Sequence, residues 1–311
     1  MKRFLFFSVL VALLFAGGYA LFKKSEKNAT LHNDGKLQVV TSFYPLYFFA
    51  QQIGGDRADV TNIVPAGAEP HDYEPTSQDM ATMERSQLII LNGGGLEAWA
   101  DNLSRNTNTV KTTIVTAGEG LATAQVTEGN RTVTDPHVWL DPPLAEKMIE
   151  RIAQGFERVD PVNAEYYKTN AGVLEAKLIA LDTKYKLGLG MCAEKSIITS
   201  HAAFGYLATT YGLNQVPIAG LSPDAEPSPS QLADIVQFAK TNQVKYIFFE
   251  SLASPKLSQT IATEVSAQTL VLNPLEGLSD EDLAKGEDYF SVMYDNLTHL
   301  QTALACIPQT R

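Results

Sequence analysis

"KLQVVTSFYPLYFFAQQIGG", Lys36–Gly55, is the stretch that decides the fold. Leu37 to Thr41 is short and Val-rich, as a strand is. A turn follows, then an amphipathic helix that Gly54-Gly55 closes. "ADVTNIVPAG" (Ala58–Gly67) reads as a second strand, and "SQDMATMERSQ" (Ser77–Gln87) as a helix with Met80, Met83 and Leu88 at helical spacing. "LIILNGGG" (Leu88–Gly95) is a fully apolar strand running into glycines, which suits a buried parallel strand. "LEAWADNLSRN" (Leu96–Asn106) is a predicted helix and "KTTIVTAG" (Lys111–Gly118) another strand. Strands that alternate with helices predict an α/β fold with a parallel sheet.

The opening unit recurs. "VTSFYPLYFFAQQIGG" from Val40 is echoed by "ITSHAAFGYLATTYGL" from Ile198, 158 residues on. "EPTSQDMATMERSQLIILNGG" from Glu74 is echoed by "EPSPSQLADIVQFAKTNQVKYIFFES" from Glu226. A repeat of this kind predicts two lobes of similar architecture. Between the copies lie "PPLAEKMIERIAQGFERVD" and "PVNAEYYKTNAGVLEAKLIALDTKYKLGLG". The second predicts a long helix with Leu174, Leu178, Leu181 and Tyr185 on one face, ended by Gly188 and Gly190. The expected fold is therefore α/β: two similar lobes with parallel sheets joined by a long rigid connecting helix. The expected boundaries are 1–22 for a signal peptide or N-terminal anchor, 23–36 for a linker, 37–160 for the N-terminal lobe, 161–190 for the connecting helix and 191–311 for the C-terminal lobe.

The formal net charge of −11 argues against a nucleic-acid partner, because phosphate binding needs clustered Lys and Arg. At the N-terminus, Lys2 and Arg3 precede an apolar run from Phe4 to Phe22, and Gly18-Tyr19-Ala20 offers a small-x-small cleavage site. This is the pattern of a secretory signal, though the run is also long enough to remain as a membrane anchor. Either way the body of the chain is expected outside the cytoplasm. Cys192 and Cys306 can form one disulfide in that compartment, or remain two thiols.

The chain has five histidines. Three follow strands, where open α/β sheets bind ligands. "VPAGAEPHDYEPTSQDM" carries His71, "DPHVWLDP" carries His137 and "IITSHAAFGY" carries His201. "LVLNPLEGLSDEDL" adds Glu276 after a further strand. Three imidazoles and a carboxylate suit Zn²⁺. The bland readings stand beside this one. His32 in the linker and His299 on the last helix read as surface histidines. His201 could be a helix-start residue satisfied by backbone, and Glu276 a solvated loop carboxylate. Trp139 reads as a packing residue, and Glu69, Asp72 and Glu74 as supporting or solvated acids.

These segments resemble the zinc-binding solute-binding proteins of ABC metal transporters, a cluster that also holds manganese binders and adhesin-type lipoproteins. The resemblance runs from about Leu37 to Ile307 and rests on "HDYEPTSQD", "DPHVWLDP", "ITSHAAFGYLA", "EPSPSQLADI" and "PLEGL". It implies His71, His137, His201 and Glu276 as ligands of one Zn²⁺ in the cleft between lobes. It also implies that the chain is a monomeric extracytoplasmic binder, periplasmic or tethered by an uncleaved anchor, that hands its ion to a membrane permease. It is not expected to be an enzyme. Manganese-type members tend to have a carboxylate where this chain has His201, which favours zinc. A manganese or iron binder, a zinc hydrolase with Glu276 as base, and a surface adhesin remain the competing readings. Two departures stand out. "ATAQVTEGNRTVT" has no His, where many zinc members carry a His-rich loop, and no Cys follows the apolar run as a lipid-attachment point.

Overall fold

The computed structural model describes residues 35–100, 103, 111–128 and 131–307. In the first sheet β1 (Leu37–Thr41), β2 (Ala58–Asn62), β3 (Leu88–Leu91) and β4 (Thr113–Thr116) lie in the order β2-β1-β3-β4, all parallel. In the second, β7 (Ser196–Thr199), β8 (Asn214–Pro217), β9 (Tyr246–Phe249) and β10 (Gln268–Val271) lie in the equivalent order β8-β7-β9-β10, again all parallel. The echo seen in the sequence is thus an echo of topology.

It is also an echo of which way side chains point. Successive residues of a strand face opposite sides of the sheet. Val39 and Ile90 of the first sheet, and Ile197 and Phe248 of the second, enter one shared central core. Val40 and Ile89 face a separate outer cluster, and Ile198 and Ile247 another. Val39 and Ile197, Ile90 and Phe248, Val40 and Ile198, and Ile89 and Ile247 each stand 158 residues apart. Helix starts repeat too. Helix α1 (Tyr44–Gly54) follows β1, and α2 (Ser77–Arg85) precedes β3. Thr76 caps α2 and exchanges hydrogen bonds with Asp79. Ser228 does the same with Gln231 at the start of α6 (Pro229–Thr241).

The two sheets are bridged by α3 (Pro142–Val159) and α4 (Ala164–Leu189). On α4, Leu174, Leu178, Leu181 and Tyr185 are buried as the spacing predicts, and the Tyr185 hydroxyl donates to the Met293 carbonyl at 2.7 Å. A helix of 26 residues runs roughly 39 Å, long enough to flank both sheets. It passes through Gly188, where the side-chain ends of Leu297 and Gln301 of α9 (Tyr289–Ala303) pack closely, and ends at Leu189 with Gly190 as its cap. The remaining helices are α5 (Gly205–Tyr211), α7 (Lys256–Val265) and the single turn α8 (Asp280–Ala284).

Leu88 begins β3 instead of extending the face of α2: the buried strand, not the helix, takes the apolar run. A hairpin of β5 (Gln125–Glu128) and antiparallel β6 (Arg131–Thr134), absent from the sequence reading, stands just before His137. Of the predicted helix "LEAWADNLSRN", Leu96–Trp99 form turn and irregular backbone, Ala100 and Leu103 are helical, and the other five residues lie outside the described residues. Cys192, just past α4, and Cys306, just past α9, are joined as a disulfide, and Ala193 and Glu194 donate backbone hydrogen bonds to Ala305 and Leu304 beside it. Among the described residues no helix is long and apolar enough to cross a membrane; the apolar run from Phe4 to Phe22 and the linker that carries His32 lie outside them.

Candidate metal centre

Each site residue is held by the loop that carries it. His71 lies between β2 and α2, and its backbone N–H donates to Glu69 Oε1 at 3.1 Å. His137 follows the hairpin. Asp135 Oδ1 accepts from both the His137 backbone N–H at 3.0 Å and its ring Nδ1 at 2.7 Å, so the Asp-Pro-His sequence is a bracket that fixes one imidazole. Asn92 Nδ2 donates to the Pro136 carbonyl at 2.9 Å and ties this bracket to the end of β3. His201 follows β7. Its carbonyl accepts from Thr199 Oγ1 and Gln215 Nε2, and its Nδ1 lies 2.7 Å from Glu250 Oε1. Glu276 follows β10, behind Leu275, which is buried and left-handed (φ 57°). The Leu275 N–H donates to Asn273 Oδ1, while Asn273 exchanges two hydrogen bonds with Asn296 of α9. Buried amide pairing holds a costly backbone in place so that Glu276 turns inward.

These four side chains converge. Glu276 Oε1 lies 3.1 Å from Nε2 of each of His71, His137 and His201. The His71 and His137 Nε2 atoms are 3.2 Å apart, and those of His137 and His201 are 3.3 Å apart. A carboxylate against Nδ1 keeps the ring proton there, which aims the Nε2 lone pairs of His137 and His201 at the common centre. The centre is shielded: His137 and His201 are fully buried, Glu276 is 2% exposed and His71 10%.

Charge follows geometry. Burial alone would lower the pKa of His137, but the Asp135 and Glu276 carboxylates hold it above the usual histidine range. Burial is likewise overridden at His201, which the Glu276 and Glu250 carboxylates hold well above that range. His71, with less carboxylate support, is lowered by burial. Burial would raise Glu276, yet the His201 charge and hydrogen bonds from the three imidazoles hold it well below the carboxylate range. Glu69, buried and facing the Glu276 charge, is pushed up to about 8.

The sequence reading therefore named the four residues that meet. It passed over Asp135 and Glu250. Asp135 stood two residues before a named histidine, the spacing of a side chain bonding its own backbone two residues on. Glu250 directly follows β9, at the strand end where the other groups were sought. His299 is remote from the cluster in its bonding: its Nδ1 meets the Val271 carbonyl at 2.8 Å. Trp139 is fully buried, edge-on to Phe43, with its indole N–H donated to the Pro274 carbonyl at 2.8 Å.

A family described as ZnuA, zinc-uptake complex component A, periplasmic, matches residues 39–303. The high-affinity zinc uptake system protein ZnuA of Bacillus subtilis is 40% identical over 306 residues, which are 95% of this chain and 96% of that protein. The zinc-binding lipoprotein AdcA of Streptococcus pneumoniae is also 40% identical, over 94% of this chain but only 60% of AdcA. Among solved structures, the Zn(II)-bound ZnuA-like domain of that AdcA aligns with a TM-score of 0.76 and 40% identity, covering 86% of this chain and 99% of the domain.

Proposed function

This chain belongs to the ZnuA family of zinc-uptake components, and from that premise we propose that it captures one Zn²⁺ outside the cytoplasm and delivers it to an ABC permease. His71, His137, His201 and Glu276 are the ligands in this reading. Residues 37–160 and 191 onward act as two lobes, 161–190 as their connector, and the protein works as a monomer.

One observation carries the proposal. Five contacts among the four donor atoms measure 3.1–3.3 Å. The sixth pair, His71 and His201, lies within 4.8 Å, and a tetrahedron with edges near 3.2 Å has its centre about 2.0 Å from its corners, the bond length zinc makes to imidazole nitrogen and carboxylate oxygen. Larger oxygen-seeking cations need longer bonds and more donors. The same distances oppose a hydrolase. A general base would stand back from the metal by a water, whereas Glu276 Oε1 is as close to each imidazole as the imidazoles are to one another. Four protein donors leave no open coordination position for water.

The test is zinc content and affinity by native mass spectrometry and chelator competition, on wild type, His137→Ala and Glu276→Ala. We expect one zinc per wild-type chain. His137→Ala should weaken binding roughly 100–1,000-fold, about a quarter of the ~10–16 kcal/mol a four-ligand zinc site supplies. An unaltered His137→Ala protein would sink the site.

A further inference from the structure

Resting on that reading of the site, we propose that Tyr206 is a positioning residue for the ion. Its hydroxyl is set into the base of the β5–β6 hairpin, ties the Asp135 bracket to α5, and so fixes the gap between the His137 and His201 imidazoles. In an antiparallel ladder, the two residues of a hydrogen-bonded pair exchange both N–H···O bonds. Counting back from the hairpin loop, Glu128↔Arg131 and Val126↔Val133 stand on alternate rungs, and Ala124 with Asp135 makes the next. The Asp135 N–H donates to the Ala124 carbonyl at 3.0 Å. The return bond runs through a third group: the Ala124 N–H donates to Tyr206 Oη at 3.0 Å, and Oη donates to the Asp135 carbonyl at 2.9 Å. Two bonds end to end hold these strands further apart than one direct bond of about 2.9 Å.

Asp135 is thus held from both sides. Its Oδ1 grips the His137 ring and backbone, while Tyr206 grips its carbonyl. Gly205, next to Tyr206, leaves room for the carboxylate: a Cβ there would stand 2.9 Å from Asp135 Oδ2. One turn further along α5, Thr210 donates to Asp141 Oδ2 at 2.6 Å. Residues four apart share a helix face, so one face of α5 holds both aspartates of "DPHVWLDP", with His137 between them. Nearer its tip the hairpin faces α6 across a cavity of about 470 Å³, between Val126 and Thr127 on one side and Gln231 and Asp234 on the other. The base is therefore where the hairpin is tied. Helix α5 itself begins four residues after His201. One imidazole is joined to α5 through the chain, the other through Tyr206, and their Nε2 atoms stand 3.3 Å apart. Zinc bonds of about 2.0–2.1 Å to imidazole leave little slack, so a bracket that shifts turns His137 Nε2 off the ion.

The experiment measures zinc affinity of the full chain by chelator competition at pH 7.5. Tyr206→Phe keeps the buried ring and removes only the hydroxyl. Gly205→Ala removes no hydrogen bond and presses on Asp135 Oδ2 from the same helix. Each is made in wild type and in His137→Ala. We expect Tyr206→Phe to bind zinc about tenfold more weakly, the lower end of the loss seen when a ligand's supporting partner goes, and Gly205→Ala to lose affinity as well. Neither should cost anything further in His137→Ala, where the bracket has no ring to aim; such non-additivity marks groups that act through one another. Co²⁺ in place of zinc should show altered visible bands in both variants, because these follow coordination geometry. A folded Tyr206→Phe protein with wild-type affinity, or a loss that persists in full without the His137 ring, overturns the proposal and leaves the zinc-binding reading standing. A wild type that takes up no zinc overturns both. Should Tyr206→Phe fail to fold, Gly205→Ala decides alone, and an unaltered affinity there overturns the proposal.

Discussion

The two sheets share strand order, side-chain orientation and helix caps, yet spend the same positions differently. Where β7 ends, Thr199-Ser200 leads into His201; where β1 ends, Thr41-Ser42 leads into Phe43, which packs against Trp139 with ring centroids 4.7 Å apart. Past the third strand each half places a buried carboxylate. In the second half Glu250 braces the His201 ring. In the first, Glu97 accepts from the Ser42 hydroxyl and the Asn92 and Gly93 N–H groups and reaches no imidazole. The first half instead draws its ligands from longer excursions, after β2 for His71 and after the hairpin for His137. The repeat fixes where a ligand can stand, while the loops decide whether one does.

The largest expected effect separates the halves by stability. The disulfide closes a loop spanning 114 residues that contains the whole second sheet, His201 and Glu276. Cross-linking restricts the unfolded chain, and bridges of this kind contribute about 2–4 kcal/mol. The double variant Cys192→Ser with Cys306→Ser should lower Tm and raise amide exchange in β7 to β10 more than in β1 to β4. Equal loss of protection in both sheets would show that the halves unfold as one unit.

Next come the two braces. Asp135→Asn and Glu250→Gln each remove the carboxylate behind one imidazole and free its ring to turn. Loss of such a partner typically weakens metal binding 10–100-fold. We expect comparable losses in chelator competition, because each brace makes the same 2.7 Å contact. Both carboxylates also hold their histidines above the usual pKa, so protons compete with zinc well above pH 6.5 in the wild type. Each variant should therefore show its affinity levelling off at lower pH. A flat wild-type profile from pH 6.5 to 8 would contradict the charge balance described.

The strands, the long helix, the repeat and the four meeting residues were legible because each leaves a local mark: Val-rich runs before glycine, a Leu face at helical spacing, histidines just past strands. What was missed is either between segments or weakly marked. The hairpin's signal, "QVTE" and "RTVT" around Gly129-Asn130, is a two-residue loop between alternating runs, readable in principle. The role of Glu250 needs the partner 49 residues away, which sequence spacing does not announce. Leu275 gives no hint of its left-handed backbone, since that conformation is imposed by Asn273 and Asn296.

The smallest effect lies at the seam between the halves. Asp141 starts α3; Pro142 and Pro143 bring no N–H groups, so Leu144 carries the first N–H that could serve a capping carboxylate, and no side-chain cap bond forms there. Its Oδ2 accepts from Thr210 Oγ1 of α5 at 2.6 Å, and its Oδ1 is buried without a partner. Asp182 of α4 also faces it, held by the Tyr211 hydroxyl and Lys186, with Tyr289 and Lys147 nearby. Burial, together with the Asp182 charge, pushes Asp141 up to about 6. An acid whose pKa is raised on folding keeps its proton in the folded state longer than in the unfolded one. Its contribution to stability is thus lost as pH rises from about 4 to 6, and stays lost above. Asp141→Asn is neutral throughout. It should match wild type in unfolding free energy near pH 4 and exceed it at pH 7 by roughly 1–2 kcal/mol, without altering zinc stoichiometry. A variant less stable than wild type at pH 7 would mean that the ionised carboxylate, through Thr210, clasps the two halves rather than straining the seam between them.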